Sequence, residues 1–317
     1  MSKNKNQPKP PCCIPKEKSK TESHVYNFKI LKSKPILNQK MVLLETTEFL
    51  MGSEDKMTYS TDQEGPIKKI KVNSFFIDKY AVSNEEFSNF ANDSNYISDA
   101  ERLEWSYVFY QFINPKLSKE IIGKAENAPW WLAIKGANWK NPEGPGSSNQ
   151  DRLNHPVTHI SWNDANNYCK WADKRLPTEI EWEYAARGGL VQKTFPWGNS
   201  LNPGGKHLCN IWQGNFPKNN TSEDGYIGTA PVNAYKPNNF GLFNMVGNVW
   251  EWCQNSWDNK HETLNNTQKI DQKTIRGGSY LCHKSYCNRY RVSARSSNSV
   301  NSSTGNLGFR CSKNLTT

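Results

Sequence analysis

Cys282 and Cys287 stand in the segment Arg276-Gly-Gly-Ser-Tyr-Leu-Cys282-His-Lys-Ser-Tyr-Cys287-Asn-Arg-Tyr-Arg291. His283, Lys284, Arg289, Arg291 and Arg295 crowd the two thiols. Nearby cations favour thiolate over thiol. Two convergent thiolates suit a soft ion such as Cu(I), or a redox-active disulfide. The C-x4-C spacing by itself also fits a structural pair or two buried free thiols.

A second kind of chemistry is spread over Asn238–Trp252 and over Asn210–Gly214 with Thr221–Tyr226. These stretches gather Asn side chains, backbone carbonyls at Gly-containing turns, and the carboxylates Asp224 and Glu251. Hard cations bind such oxygens, so either stretch could hold Ca2+. Plain Asn/Gly turn chemistry is the competing reading.

Short elements must position these groups. Met41–Glu45 and Phe49–Met51 read as strands, and Ile67–Val72 with Phe75–Ile77 reads as another strand pair. Capping boxes at Ser83/Glu86, Ser161/Asp164 and Thr178/Glu181 start three helices. The first should run to about Ala91. The second carries Ala165, Tyr168, Cys169 and Ala172 on one face, and the third should stop at Gly188-Gly189. After residue 190 no periodic segment appears. Metal ions or disulfides would help to fix so long an irregular stretch.

Net charge is +10 over 317 residues, but residues 1–40 hold ten Lys against two Glu. The basicity therefore belongs to a Lys/Pro-rich tail, expected to be largely disordered, and not to a nucleic-acid groove. Residues 41–317 should form one domain. The 12 Trp, 13 Tyr and 13 Phe can supply a core despite few aliphatics. None of the eight cysteines forms a CxxC pair, which excludes zinc ribbons. No segment approaches the length of a membrane span, and no apolar run follows the N-terminal lysines. A cytoplasmic location is expected.

RGGSYLCHKSYCNRYRVSAR (276–295), NLGFRC (306–311), GLFNMVGNVWEW (241–252), HPVTHISWNDANNYCKWADKRLPTEIEWEYAARGG (155–189) and APWWLAIKGANWKNPEGP (128–145) together resemble the formylglycine-generating enzyme family, the sulfatase-modifying factors. The likeness runs from about Met41 to Cys311. The NVWEW block is shared by a wider superfamily; the block carrying both cysteines marks the catalytic branch.

The resemblance implies an α+β, irregular fold related to C-type-lectin-like folds. It implies an O2-using oxidase that converts cysteine in a sulfatase Cys-x-Pro-x-Arg segment to Cα-formylglycine. Cys282 and Cys287 would hold Cu(I), and the substrate thiolate would join them. Ser279 matches a family serine, and His283 would orient the site or move a proton. Asn248 and Trp130 match the groove wall, and Trp105 and Ser106 fall where relatives grip the substrate arginine. One structural calcium site would fall on Asn210, Ile211, Asp224 and Tyr226, and another on Asn244, Gly247, Val249 and Glu251. A disulfide would join Cys169 to Cys311. The partners implied are an unfolded type I sulfatase chain, O2 and a thiol reductant, with no nucleic acid or membrane, and the protein is expected to be a monomer.

The chain also departs from the family. Ala186 and Val292 replace a second disulfide, and Cys209 and Cys253 are additional. Ala81 and Trp105 stand where acids hold the arginine, so Glu101 or Glu104 would have to substitute, or Trp105 would stack on it. His155 and His159 are taken as structural, because Pro156 breaks any helix that would present both. The rival readings are a non-catalytic, calcium-stabilised binding module and a copper-free thiol oxidase.

Overall fold

Every α-helix in the computed structural model, which describes residues 15, 40–257 and 272–315, opens on a capping box. The three boxes expected from sequence start α1 (Asn84–Ser94), α3 (Trp162–Trp171) and α4 (Glu179–Arg187). A fourth, Ser98 with Glu101, starts the short α2 (Asp99–Leu103). Each box satisfies two backbone donors reciprocally, and losing such a cap costs about 1 kcal/mol. Gly188 closes α4 in the left-handed conformation. Past it, the described residues form no further α-helix.

Among the described residues, fourteen strands make five small sheets. They are β1 (Met41–Leu44), β2 (Thr47–Met51), β3 (Lys68–Val72), β4 (Phe75–Asp78), β5 (Trp105–Phe109), β6 (Ile121–Ala125), β7 (Ala128–Lys135), β8 (Gly214–Asn215), β9 (Asn219–Asn220), β10 (Trp250–Ser256), β11 (Gln272–Arg276), β12 (Arg295–Ser299), β13 (Leu307–Gly308) and β14 (Ser312–Asn314). β3 and β4 do not pair with each other as expected: β3 pairs β2, whereas β4 lies between β1 and β14. Two sheets matter for the site. β12-β11-β10-β13 delivers the cysteine segment at the end of β11, and β5-β7-β6 carries Trp105, Ser106 and Trp130.

The core is aromatic, with Trp131, Trp182, Trp212, Trp250 and Trp252 fully buried. Arg276, Arg289, Arg291 and Arg310 are buried with them. Of the expected tail, Pro15 and Lys40 are described; the rest lies outside the described residues. Pro15 is buried, and its carbonyl accepts from Asn298 Nδ2 at 3.1 Å. No helix among the described residues is long and apolar enough to cross a membrane.

One capping carboxylate makes stability depend on pH. Asp164 is fully buried and accepts from Tyr96 Oη, the Asp99 amide and the Ser161 amide. Burial, with the neighbouring Asp99 charge, pushes its pKa up to about 7. A raised native pKa favours the protonated form in the fold. That contribution is complete below the unfolded value of about 3.9 and is lost as pH rises through 7. Thermal melts should therefore show stability declining between about pH 4 and pH 7. Asp164→Asn should flatten that decline; an identical slope in the variant would exclude Asp164 as its source.

Candidate active site

The cysteine segment begins where β11 ends in two glycines. Gly278 has φ +72°, and a Cβ there would lie 2.9 Å from the Arg289 carbonyl oxygen. Only glycine lets the incoming strand cross the Arg289–Tyr290 backbone this closely. Two turns follow. The Cys282 amide donates to the Ser279 carbonyl at 2.8 Å, and the Cys287 amide donates to the His283 carbonyl at 2.7 Å. They bring the two sulfurs to 3.5 Å, and both residues are fully buried.

The groups around the sulfurs are held firmly. The Ser279 amide donates to Cys282 Sγ at 3.3 Å. Ser279 Oγ accepts from Asn306 Nδ2 at 2.9 Å. Arg289 Nη1 donates to Cys287 Sγ at 3.8 Å. His283 lies at the rim, its Nδ1 2.7 Å from Ser285 Oγ. Partial burial, helped by the Lys284 charge, lowers the His283 pKa. The ring is therefore neutral at pH 7, with Nε2 left to exchange a proton.

An aromatic wall joins this segment to β7. Tyr286 stacks on Phe216 with centroids 4.6 Å apart. Trp130 meets both rings edge-on, at 4.9 Å from Tyr286 and 5.2 Å from Phe216. The Trp130 indole N–H is buried with no hydrogen-bond partner among the described residues. A buried donor left in that state is costly unless a ligand or water meets it.

The other expected groove residues divide by strand alternation. Ser106 and Val108 face inward, whereas Trp105 and Tyr107 are half-buried on the other face. Ser106 Oγ lies 2.8 Å from His159 Nδ1 and 2.8 Å from Ser303 Oγ. His159 is buried, and burial lowers its pKa to about 3, so it is a neutral structural residue. A cavity of about 190 Å3 borders His159, lined also by Phe109, Phe112, Trp139, Arg152 and Tyr280. The Asn248 side chain is committed to the backbone of Ala230, accepting at 2.8 Å and donating at 3.1 Å. Glu101 is likewise committed to Ser98, Trp139 and Lys140. Glu104 is exposed beside Trp105.

The two oxygen-rich segments touch. Gly247 has φ +76°, and a Cβ there would lie 2.5 Å from the Asn210 carbonyl oxygen. In the first segment, Asp224 takes hydrogen bonds from the Ile211 and Tyr226 amides and from Gln213 Nε2, all neutral donors. Burial raises its pKa. Asn210 Oδ1 is buried without a partner among the described residues, and so is Asn244 Oδ1 of the second segment. A buried carboxylate met by neutral donors, in the same segment as an orphaned amide oxygen, fits a hard cation. In the second segment, Glu251 is already neutralised. Arg310 grips both its oxygens at 2.7 Å, and Trp182 Nε1 donates to it at 2.7 Å. The carboxylate expected as a ligand there takes part in a buried ion pair, and Val249 lies buried beside it.

Cys169 and Cys311 are buried with sulfurs 3.5 Å apart, in contact as two thiols. Cys209 and Cys253 are buried, and burial pushes both thiols up. Sequence reasoning missed the carboxylates that hold the arginines of the segment: Asp62 on Arg289, Glu64 on Arg291, and Glu179 with Glu183 on Arg276. The signal was Arg276, Arg289 and Arg291 flanking two cysteines, because guanidinium groups that become buried require partners.

An irregular, aromatic-cored domain that presents two buried thiols beside an aromatic wall defines a narrow class. Residues 27–315 match the family described as "Sulfatase-modifying factor enzyme 1-like domain", and the chain belongs to that family. It is 52% identical over 280 residues to the formylglycine-generating enzyme of Thermomonospora curvata, covering 86% of this chain and 92% of that one. It is 50% identical over 283 residues to the enzyme of that name from Mus musculus, covering 88% and 76%. Among solved structures, PvdO from Pseudomonas aeruginosa superposes with a TM-score of 0.61 at 22% identity, over 94% of this chain and all of that one. That likeness concerns the fold alone.

Proposed function

We propose that this protein generates formylglycine from a cysteine in a Cys-x-Pro-x-Arg segment of an unfolded sulfatase chain. The observation that carries the reading is the pair of sulfurs 3.5 Å apart at the foot of an aromatic wall. Two soft donors fit Cu(I). No three His, Cys, Asp or Glu side chains converge among the described residues. Cys282 and Cys287 would thus be the protein's donors, leaving room for the substrate sulfur. When bound, Cu(I) supplies the activation of O2 for the oxidation.

The rest of the work falls to the chain. Trp130, Phe216 and Tyr286 shape the wall along which the peptide lies and keep water away. The Trp130 N–H, lacking a partner, is available to a peptide carbonyl. Ser279, fixed by Asn306, keeps its amide on Cys282 Sγ. His283 Nε2 is placed at the rim to exchange a proton with departing groups. The substrate cysteine gives up two electrons and a thiol reductant, going to its disulfide, gives the other two that take one O2 to the water and the aldehyde oxygen, while the substrate sulfur leaves as H2S. The test is aerobic incubation with such a peptide and capture of the product carbonyl by a hydrazide. A binding module would give no captured product, and a disulfide oxidase would give peptide disulfide in its place.

Calcium is proposed for the first segment on the fit of Asp224 and Asn210, with Ile211 and Tyr226 contributing backbone oxygen. A ligand bound only to the native state at a hundredfold excess over Kd stabilises by about 2.7 kcal/mol. Chelation should lower Tm by about 5–10 °C. Asp224→Asn should remove most of that dependence. A calcium-free protein with an unchanged melt would contradict the assignment.

For the substrate arginine, Glu101 is occupied, leaving Trp105 stacking or the exposed Glu104. Stacking is the proposal, worth about 0.5–2 kcal/mol. Peptides ending in Arg, Lys and Ala should rank in that order in kcat/KM. Trp105→Ala should flatten the ranking and Glu104→Gln should keep it; the opposite pattern would assign the arginine to Glu104.

A further inference from the structure

Among the cations crowding the cysteine pair, the structure separates one from the rest. Arg291 is held by Glu64 at 2.6 and 2.7 Å, and Arg295 and Arg276 are held by Glu179. Arg289 alone of these arginines is seen to touch a sulfur, with Nη1 3.8 Å from Cys287 Sγ. Its Nε donates to Asp62 at 2.5 Å, and its guanidinium lies 4.4 Å from the centre of the Tyr59 ring. Both side chains of the ion pair are almost wholly buried, at 0% and 1% exposure. The same loop also holds the neighbouring residue. Asn288 donates from its amide to Tyr59 Oη at 3.4 Å and from Nδ2 to the Met57 carbonyl at 3.2 Å.

We propose that Arg289 is a positioning residue for Cys287, held in place by Asp62 and Tyr59 of the loop 57–64. This rests on the copper reading above. The planar guanidinium can bond a carboxylate through one edge and aim a second N–H at the sulfur; a lysine ammonium has no such fixed fork. The arrangement fixes the side chain of Cys287 facing Cys282. It also sets a positive charge beside sulfurs that become anionic when they ligate. Partners of this kind, one layer behind metal ligands, typically change metal affinity 10- to 100-fold when removed.

The test is Cu(I) affinity, measured anaerobically by competition with a chromogenic chelator, alongside Tm. Asp62→Asn with Arg289→Gln removes both charges together and leaves no lone buried ion. Asp78→Asn with Lys174→Gln does the same to a buried pair that lies outside loop 57–64 and the cysteine segment. The first double variant should bind Cu(I) about 10- to 100-fold more weakly. The second should bind as wild type does, whatever its Tm. Arg289→Lys, which keeps the charge for Asp62, should also weaken binding; it serves if the first double variant does not fold. Wild-type affinity in the 62/289 variants, or equal losses in both double variants, would overturn the positioning role while leaving the copper reading intact. A wild-type protein that binds no Cu(I) would overturn both.

Discussion

Cys287→Ser is expected to give a folded protein that holds no Cu(I) and leaves a peptide cysteine unconverted. Cys282→Ser should do the same. The substitution exchanges one soft sulfur for a hard oxygen in nearly the same volume, and soft thiolates are what select Cu(I). Neither cysteine is accessible to solvent, so the change adds no new surface. The effect should therefore appear in copper content and turnover, not in Tm. The two sulfurs are 3.5 Å apart, and in the proposed reading both ligate one ion. Residues that act as a unit lose as much singly as jointly. The double serine variant should accordingly be no worse than either single one. Copper content by elemental analysis, and peptide turnover beside it, check this. Full copper retention in either single variant would remove that cysteine from the site.

Arg276→Gln is expected to have the largest effect on stability. Arg276 is wholly buried and donates to Glu179 at 2.9 Å, to Glu183 at 2.6 Å and to the Val292 carbonyl at 2.8 Å. It also lies 5.3 Å from the centre of the Trp182 ring. Arg295 still pairs Glu179 and Arg187 still pairs Glu183, but two charge-assisted hydrogen bonds are lost and the Val292 carbonyl is left unmet inside the fold, costing about 3–5 kcal/mol. For a domain of this size, Tm should fall by about 10 °C or more. Because Arg276 ends β11 just before Gly277-Gly278, the cysteine turns should loosen with it. Burial raises the Glu179 pKa, but Arg276 and Arg295 outweigh burial and hold it below the usual value. A depressed carboxylate stabilises above its unfolded pKa of about 4.3 and stops doing so as pH falls through its native value. The Arg276→Gln protein should hence be less sensitive to acid than wild type. A Tm within 2–3 °C of wild type, or about 1 kcal/mol, would show that the network tolerates the loss.

Much of the site was legible because its logic is local. The capping boxes at Ser83, Ser161 and Thr178 depend on residues three apart, and each forms as read. The cysteine pair lies within one pair of turns. Ser98/Glu101 has the same spacing, but the helix it starts is only five residues long and shows no periodicity to notice. What stayed hidden depends on distance along the chain. Asp62 and Arg289 are 227 positions apart, and neither residue announces the other. Burial was equally silent: Ser106 and Asn248 read as groove residues by position, and both are buried, Ser106 bonded to Ser303 and Asn248 to the Ala230 backbone. The strand pairing failed for a related reason. Ile67–Val72 and Phe75–Ile77 are near neighbours, but the β1/β4 and β2/β3 registers separate them into different sheets.

The most direct measurement is the mass of a peptide containing Cys-x-Pro-x-Arg after aerobic incubation with the Cu(I)-loaded protein and a thiol reductant. The account predicts a loss of about 18 Da, thiol to aldehyde, confined to the cysteine, and none with Cys282→Ser. A peptide whose mass is unchanged in the presence of copper-loaded wild-type protein would contradict it.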